Sequence, residues 1–420
     1  MKISLIIPTR ERADLLESCL ACARAVPDDA LEIVVSNNAS ADHTAQVAAC
    51  GDPRIAYTCT AERLSMRANF EHALGAATGD YVIFIGDDDG VLPGGMAMLR
   101  RFLEAERPEA VGWPLLSYAW PFPEPGQERG TVQIKFSALY GGVRRQDPAR
   151  LMDQALTARL RSYKEAANIY HGCVSMALID RVRQAQGGIY FNGASPDVQS
   201  SFKNLTLMQG PMVWIDHPVS FGGTSNRSNG ANTATRGAQS EAGKAETQRY
   251  RNEAASEPET YGLDLRVASV DAVTLDMLRL VAEGTELAQR LDWPAWCGRI
   301  LRKLARGTHL RAEESAGLFA EYCASHGQET AFAEAAARHS LPPALAQRSA
   351  PAQAARRPSR LRLDRVWLAE RQGMQTIAET AALLDRLIGP HRPSRTAPLT
   401  RALPWARFLS RTRNTIQPTR

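Results

Sequence analysis

An α/β domain built on a mostly parallel sheet, followed by a mainly helical C-terminal region, is the fold this sequence predicts. Three observations predict it. Over roughly the first 95 residues, short apolar runs alternate with stretches of helical spacing. Three of those runs stop at polar clusters: Thr9-Arg10-Glu11, Asn37-Asn38 and Asp87-Asp88-Asp89. From about residue 245 the chain turns rich in alanine, leucine and arginine, with helical spacing broken at Pro294, Gly307 and Gly327. Alternating strands and helices imply parallel strands joined by crossover helices. Sheets of that kind bind ligands at the carboxyl ends of their strands.

The elements follow in order. Lys2 to Ile7 reads as a strand that stops at Pro8, and Leu15, Leu16, Cys19, Leu20 and Ala23 mark one face of a helix. Leu31 to Val35 is a second strand, residues 42 to 50 a short helix, Arg54 to Tyr57 a third strand and 65 to 77 a helix. Tyr81 to Ile85 is β-branched or aromatic throughout, as fits a strand covered on both faces. Met96 to Glu104 reads as a helix and Ala110 to Tyr118 as a strand interrupted by Pro114. Asp147-Pro148 caps a helix running to about Leu160. Further helices are predicted near 268–291, 294–306, 311–325, 328–338 and 361–387.

The domain limits this implies are 1–222 for the α/β domain, 223–245 for a Gly/Ser/Asn/Thr-rich lid or linker, 246–348 for a helical region and 349–420 for a basic linker, helix and tail. From Arg356 onward there are fourteen arginines, no lysine and four acidic residues, a segment charge of +10 against a total of +5. The arginines near Trp405, Phe408 and Leu409 suit peripheral contact with an anionic membrane surface. No nucleic-acid module accompanies them. No apolar run is long enough to span a bilayer and a strand signal opens the chain, so a cytoplasmic location is expected. Seven scattered cysteines give no disulfide framework, and Cys19 and Cys22 fit packing inside one helix better than redox chemistry.

The acidic run carries the chemistry. Three like charges at the end of a buried strand repel one another and resist desolvation. A hard cation, Mn²⁺ or Mg²⁺, relieves that stress and can be shared with substrate phosphates; the bland alternative is a solvated acidic turn. No G-x-G-x-x-G or P-loop follows the first strand, so side chains and a metal would have to hold any nucleotide.

The stretches Ser4 to Arg10, Glu32 to Ser40 and Asn69 to Asp89 together resemble the nucleotide-sugar half of family-two glycosyltransferases of the GT-A (Rossmann-like) fold. The resemblance implies a nucleoside-diphosphate-sugar donor. It implies that Pro8, Thr9, Arg10 and Glu11 border the nucleoside, that Asn37 and Asn38 face the base, and that Arg67 and Asn69 lie near the diphosphate or ribose. Asp87 and Asp89 would frame the metal, with Asp88 between them on the donor. Two departures stand out. Asn37-Asn38 replaces the family's usual acidic base reader, and Gly86 falls where a first aspartate is usual, so which of Asp87, Asp88 and Asp89 bind metal stays open.

An inverting transfer also needs a base for the acceptor hydroxyl. Asp197, after a glycine-bearing turn at a helix start, is the candidate, and the resemblance supports it; helix capping is the alternative reading. His217 could complete the metal shell, His171 could face the acceptor, and Arg227 in the glycine-rich segment could reach the diphosphate. The expected activity is therefore sugar transfer to a hydroxyl of a glycan, lipid or polysaccharide acceptor. The alternatives are a non-catalytic scaffold or carbohydrate-binding protein on the same fold, and a sugar nucleotidyltransferase, against which the absence of a glycine-rich basic loop counts.

Overall fold

The computed structural model describes residues 1–121, 130–228, 241–306, 312–339, 365–369 and 374–389. Its centre is an eight-stranded sheet. The strands are β1 (Ile3–Thr9), β2 (Leu31–Asn37), β3 (Ile55–Cys59), β4 (Tyr81–Phe84), β6 (Ala110–Gly112), β9 (Val143–Gln146), β10 (Gly172–Ser175) and β11 (Met212–Ile215), in the order β3-β2-β1-β4-β10-β6-β11-β9. The first four strands are parallel to their neighbours. β10 then runs antiparallel between β4 and β6, and β9 antiparallel to β11, so the sheet is mixed beyond β4. A second sheet joins β5 (Gly90–Val91), β7 (Leu116–Ala119), β8 (Thr131–Lys135), β12 (Ser220–Thr224) and β13 (Arg365–Ala369) in the order β13-β8-β7-β12-β5.

Side-chain alternation sorts the main sheet into two buried faces. Ile3, Leu5 and Ile7 of β1, with Tyr81 and Ile83 of β4, meet helices α1 (Ala13–Arg24) and α4 (Pro93–Glu106) and the helix Ile377–Ile388. Ile6 of β1, with Val82 and Phe84 of β4, meets α5 (Pro148–Leu156), α6 (Met176–Ala185) and α7 (Pro196–Leu207). The C-terminal helices Val270–Ala282, Trp293–Arg306 and Ala312–Ser325 enter that same second core. Trp296 is buried there and its indole N–H donates to the Ala155 carbonyl at 3.1 Å. Arg299 reaches the carbonyls of Ala158 and Arg161 and pairs with Asp271 at 2.9 Å.

Two expectations are corrected. The run 110–118 is not one strand: Pro114 has no N–H for a ladder, and the chain leaves β6 there to begin β7 in the other sheet. The helix expected over 361–387 is a strand at 365–369 and a helix only from Ile377. Val366-Trp367-Leu368 suits a strand, and antiparallel pairing from Arg365 opposite Lys135 to Ala369 opposite Thr131 supplies the backbone partners. Cys19 and Cys22 lie buried on the core face of α1. No helix among the described residues is long and apolar enough to cross a membrane. The linker expected at 349–360, residues 229–240 of the expected lid and the basic end of the chain lie outside the described residues.

One buried polar node ties β1 to β2. Glu32 accepts the Lys2 ammonium at 2.6 Å, the Ser4 hydroxyl at 2.5 Å, and the Thr78 N–H at 2.8 Å. Burial alone would raise its carboxyl, but these donors override it and hold Glu32 at about 2. A lowered carboxyl stabilises the fold above the unfolded value of about 4.5. That stability is lost as pH falls towards 2. Glu32→Gln is therefore expected to lower stability at pH 7 by about 2 kcal/mol, with the gap to wild type narrowing below pH 4.5. Denaturant melts at pH 7, 4 and 3 measure it, and a gap independent of pH would reject the assignment.

Candidate functional site

The carboxyl ends of β1, β2 and β4 meet at one edge, and the first contact there is between strands. The Thr9 hydroxyl donates to Asp87 Oδ2 at 2.8 Å, and Arg12 Nη1 lies 3.1 Å from Asp87 Oδ1. Beyond Thr9 the chain turns with Glu11 at a φ of 51°, and the Glu11 carboxylate accepts from the Ala41 N–H and from Arg63. The loops after β1 and β2 are thereby locked together.

Each aspartate of the cluster has its own set of partners. Asp89 Oδ2 accepts the Gly86 N–H at 2.7 Å and the Tyr170 hydroxyl at 2.7 Å, and lies 3.0 Å from His171 Nε2; Oδ1 accepts the Gly223 N–H at 2.7 Å. Asp88 Oδ2 accepts the hydroxyls of Ser225 (2.9 Å) and Ser228, and its main-chain carbonyl accepts the Trp120 indole N–H. All three carboxylates are buried.

Two glycines permit this crowding. A Cβ at Gly223 would stand 1.7 Å from the Asp88 carbonyl oxygen, and a Cβ at Gly86 would stand 2.7 Å from the Tyr170 hydroxyl. At Gly86, the position where the resemblance expects an aspartate, the Tyr170 hydroxyl occupies the space of a side chain. His171, φ 53°, is aimed from its other nitrogen: Ser220 Oγ is 2.9 Å from Nδ1 and also takes the Trp113 indole N–H. An indole can only donate, so Ser220 Oγ accepts from Trp113, and its contact with Nδ1 holds the ring with Nε2 facing Asp89.

The electrostatics separate the three. Burial opposes charge on Asp89, but His171, Tyr170 and the Gly86 N–H outweigh it and hold that carboxyl at about 2. Burial, followed by the charges of Asp89 and Asp87, pushes Asp88 up to about 6. Burial also raises Asp87, against the pull of Arg12. Asp89 is thus a saturated anchor, and Asp88 is the strained carboxylate of the group.

The remaining residues fall around this centre. Arg10 pairs with Glu253 of the helix Glu241–Ala254. Arg67, on α3 (Met66–Gly75), pairs with Glu257 at 2.5 Å and donates to the Phe191 carbonyl. Ser65 also donates to Glu257. Asn69 accepts from Ser36, and Asn37 holds the Ser40 N–H and the Tyr57 hydroxyl. Asn38, expected to face a base, is directed at Leu64, bonding its carbonyl at 2.9 Å and its N–H at 2.8 Å. Pro8 continues the β1–β2 ladder opposite Ser36. Arg227 donates to Asp14 at 2.7 Å and to the Glu11 carbonyl, on the loop after β1.

Asp197 lies half-buried in the first turn of α7. Burial raises its carboxyl, while Lys164 and the donating Tyr163 hydroxyl work in the opposite direction. Burial, followed by the charges of Asp89 and Asp88, pushes the Tyr170 hydroxyl up, with Asp197 a smaller contributor.

His217, expected in the metal shell, makes its described contacts with Tyr140. Its Nδ1 accepts the Tyr140 N–H at 3.1 Å and its ring packs 5.6 Å from the Tyr140 ring, buried in the β11–β12 turn. The histidine the fold delivers to the carboxylates is His171. The sequence marks His171 for the acceptor rather than for the carboxylates, and Tyr170, Arg12, Ser225, Ser228 and Tyr163 have no local motif; only their approach to Asp87–Asp89 and Asp197 marks them.

Among the described residues no group of three or more His, Cys, Asp and Glu side chains converges as a finished cation cage. The donor set nevertheless suits a hard divalent cation: Asp87 and Asp88 are adjacent buried carboxylates, and Asp88 carries unrelieved repulsion.

Residues 4–178 match the family model described as Glycosyl transferase family 2, which shows over that stretch the resemblance carried by the strand-end motifs, and with it the GT-A fold class. A TPR repeat-containing protein of Synechococcus elongatus is 30% identical over 115 residues, 27% of this chain and 27% of that protein. The GalNAc(5)-diNAcBac-PP-undecaprenol beta-1,3-glucosyltransferase of Campylobacter jejuni subsp. jejuni is 33% identical over 102 residues, 23% of this chain and 33% of that one. The match thus spans a third or less of the length of either curated relative. Among solved structures, S. aureus TarS 1-349 in complex with UDP-GlcNAc aligns with a TM-score of 0.43 and 12% identity, over 80% of this chain and 92% of that one.

The two neighbouring aspartates are expected to respond oppositely to loss of charge. Asp89→Asn presents an amide to several donors and should destabilise by about 2–4 kcal/mol. Asp88→Asn removes the repelled charge and should raise the melting temperature at pH 7.5 without divalent metal. Thermal unfolding of both variants decides; equal destabilisation would refute the division between anchor and strained group.

Proposed function

We propose that this chain, whose residues 4–178 match Glycosyl transferase family 2, transfers a sugar with inversion from a nucleoside diphosphate donor to an acceptor hydroxyl. The observation that carries the reading is the convergence of three strand ends on Asp87–Asp89, which Thr9, Tyr170 and His171 hold in place. The β1 and β2 ends supply Thr9, Arg10, Glu11, Asn37 and Asn38 as the nucleoside wall, with Arg67 and Asn69 behind it. Arg10 and Arg67 already hold carboxylates, Glu253 and Glu257, and a donor diphosphate would compete for the same guanidinium groups.

Asp87 and Asp88 are the residues that would hold Mn²⁺ or Mg²⁺, with Asp89 keeping the loop in place. Such a cation supplies charge neutralisation for a departing diphosphate. Asp197 takes the acceptor proton. Burial raises its carboxyl towards a useful basicity, and Tyr163 fixes its orientation. Attack by the deprotonated hydroxyl on the face opposite the diphosphate inverts the anomeric centre.

The acceptor is a glycan, polysaccharide or lipid-linked intermediate. The lipid-linked class appears in the name of the C. jejuni relative, and the arginine-rich end of this chain suits an anionic membrane surface. A cytoplasmic location, at or near the inner face of a membrane, follows from that reading. A non-catalytic carbohydrate-binding role is favoured by one observation: the Asn38 amide is bonded to Leu64 on both its oxygen and its nitrogen.

Donor turnover separates the two. Nucleoside diphosphates are expected to raise the melting temperature only with Mn²⁺ or Mg²⁺ and only in protein that retains Asp88. Asp197→Asn should lower kcat by about 10²–10⁴-fold with donor affinity unchanged. Absence of any metal-dependent nucleotide shift would move the binding-protein reading to first place.

A further inference from the structure

Outside the carboxylate cluster, the described surface holds a second built feature. A cavity of about 440 Å³ opens at the β9 edge of the main sheet, between α5 and the segment 159–165. Four arginines line it, Arg144, Arg150, Arg159 and Arg161, against two carboxylates, Asp153 and Glu165. We infer that this cavity binds a phosphate-bearing portion of the acceptor.

Three features support an anion there. First, Arg144 is preorganised: it grips Asp216 through two nitrogens, at 3.0 and 2.9 Å, and its guanidinium lies 5.7 Å from the centre of the Trp214 ring. Asp216 takes Nε and Nη2 and holds the guanidinium plane, which leaves the Nη1 donors for an anion. Second, the other arginines are available. Arg150 makes no ion pair among the described residues, although it lines the cavity. Arg159 pairs with Asp153 and Arg161 with Glu165, but their side chains are 65% and 83% exposed. Exposed pairs of that kind contribute little and exchange readily for a multivalent anion. Third, the wall is continuous with the candidate base. Between Arg161 and Glu165 the chain makes a single turn in which Tyr163 points inward and donates to Asp197. The turn that supplies Arg161 and Glu165 to the cavity wall therefore also contacts the residue assigned to the acceptor hydroxyl. Naming the ligand as acceptor rests on the proposed role of Asp197; the anion site itself does not.

The test uses the full chain and inorganic tripolyphosphate as the probe, titrated calorimetrically without divalent metal. Arg150→Gln/Arg161→Gln alters only exposed side chains, and an unchanged melting temperature confirms its fold. The double variant is expected to bind tripolyphosphate at least tenfold more weakly than wild type. Asp153→Asn, which removes a competing carboxylate, should bind it severalfold more tightly. Equal affinity in all three proteins would overturn the proposal.

Sedimentation with phosphatidylglycerol vesicles, against phosphatidylcholine, then identifies the source of the phosphate. Loss of vesicle binding in the double variant assigns it to a lipid headgroup, and retention with the tripolyphosphate defect assigns it to a soluble glycan; both uphold the site. Metal-dependent nucleotide binding is measured on the same variant. Its absence from both wild type and variant, with the tripolyphosphate difference intact, would fell the donor reading while leaving the anion site standing.

Discussion

Burying three adjacent carboxylates at one strand end is the constraint around which this protein is arranged. Desolvation and mutual repulsion both work against charge there, and each aspartate meets them differently. Arg12 and Thr9 answer Asp87, four donors answer Asp89, and two serine hydroxyls partly answer Asp88. The result is a graded trio: one anchored anion, one paired with a cationic side chain, and one whose proton is lost only near pH 6. A site that keeps one carboxylate unrelieved is chemically useful, because a cation gains more from it than from a carboxylate already saturated by the protein.

The rest of the fold serves that arrangement from both faces of the sheet. The alternation of β1 and β4 commits one face to α1, α4 and the helix Ile377–Ile388, and the other to α5–α7 and the C-terminal helices. The second sheet brings β12 across the end of β4, which places Gly223, Ser225 and Ser228 on the aspartates. The chain that follows returns over the end of β1 and the start of α3, where Glu253 and Glu257 meet Arg10 and Arg67. The helical C-terminal half is thus joined to the site by its acidic side chains as well as by Trp296 and Arg299 in the core.

Much of the fold was legible in the sequence, and the reason is local. Strand and helix periods of about 2 and 3.6 residues declare themselves within a dozen positions. The first four strands, α1, α3 and the C-terminal helices near 294–306 and 312–325 lie close to where that spacing put them. The failures came where pairing overrode local pattern: β13 exists because β8 offers it a backbone edge, and the 110–118 run divides because Pro114 cannot bond in a ladder. Within the site, Thr9 and Asp87–Asp89 were legible as strand ends, whereas the choice between His171 and His217 was not. Both follow or precede apolar strands, and nothing local distinguishes them.

By itself the sequence determined which strand ends carry polar groups, because those groups stop the apolar runs that define the strands. It also determined the family likeness of the N-terminal part. Only the tertiary structure decided what each carboxylate does. The partners that fix those roles lie 81 residues away at Tyr170 and 140 residues away at Ser228. Desolvation and hydrogen bonding depend on what the folded chain brings within about 3 Å, a distance that sequence spacing does not encode.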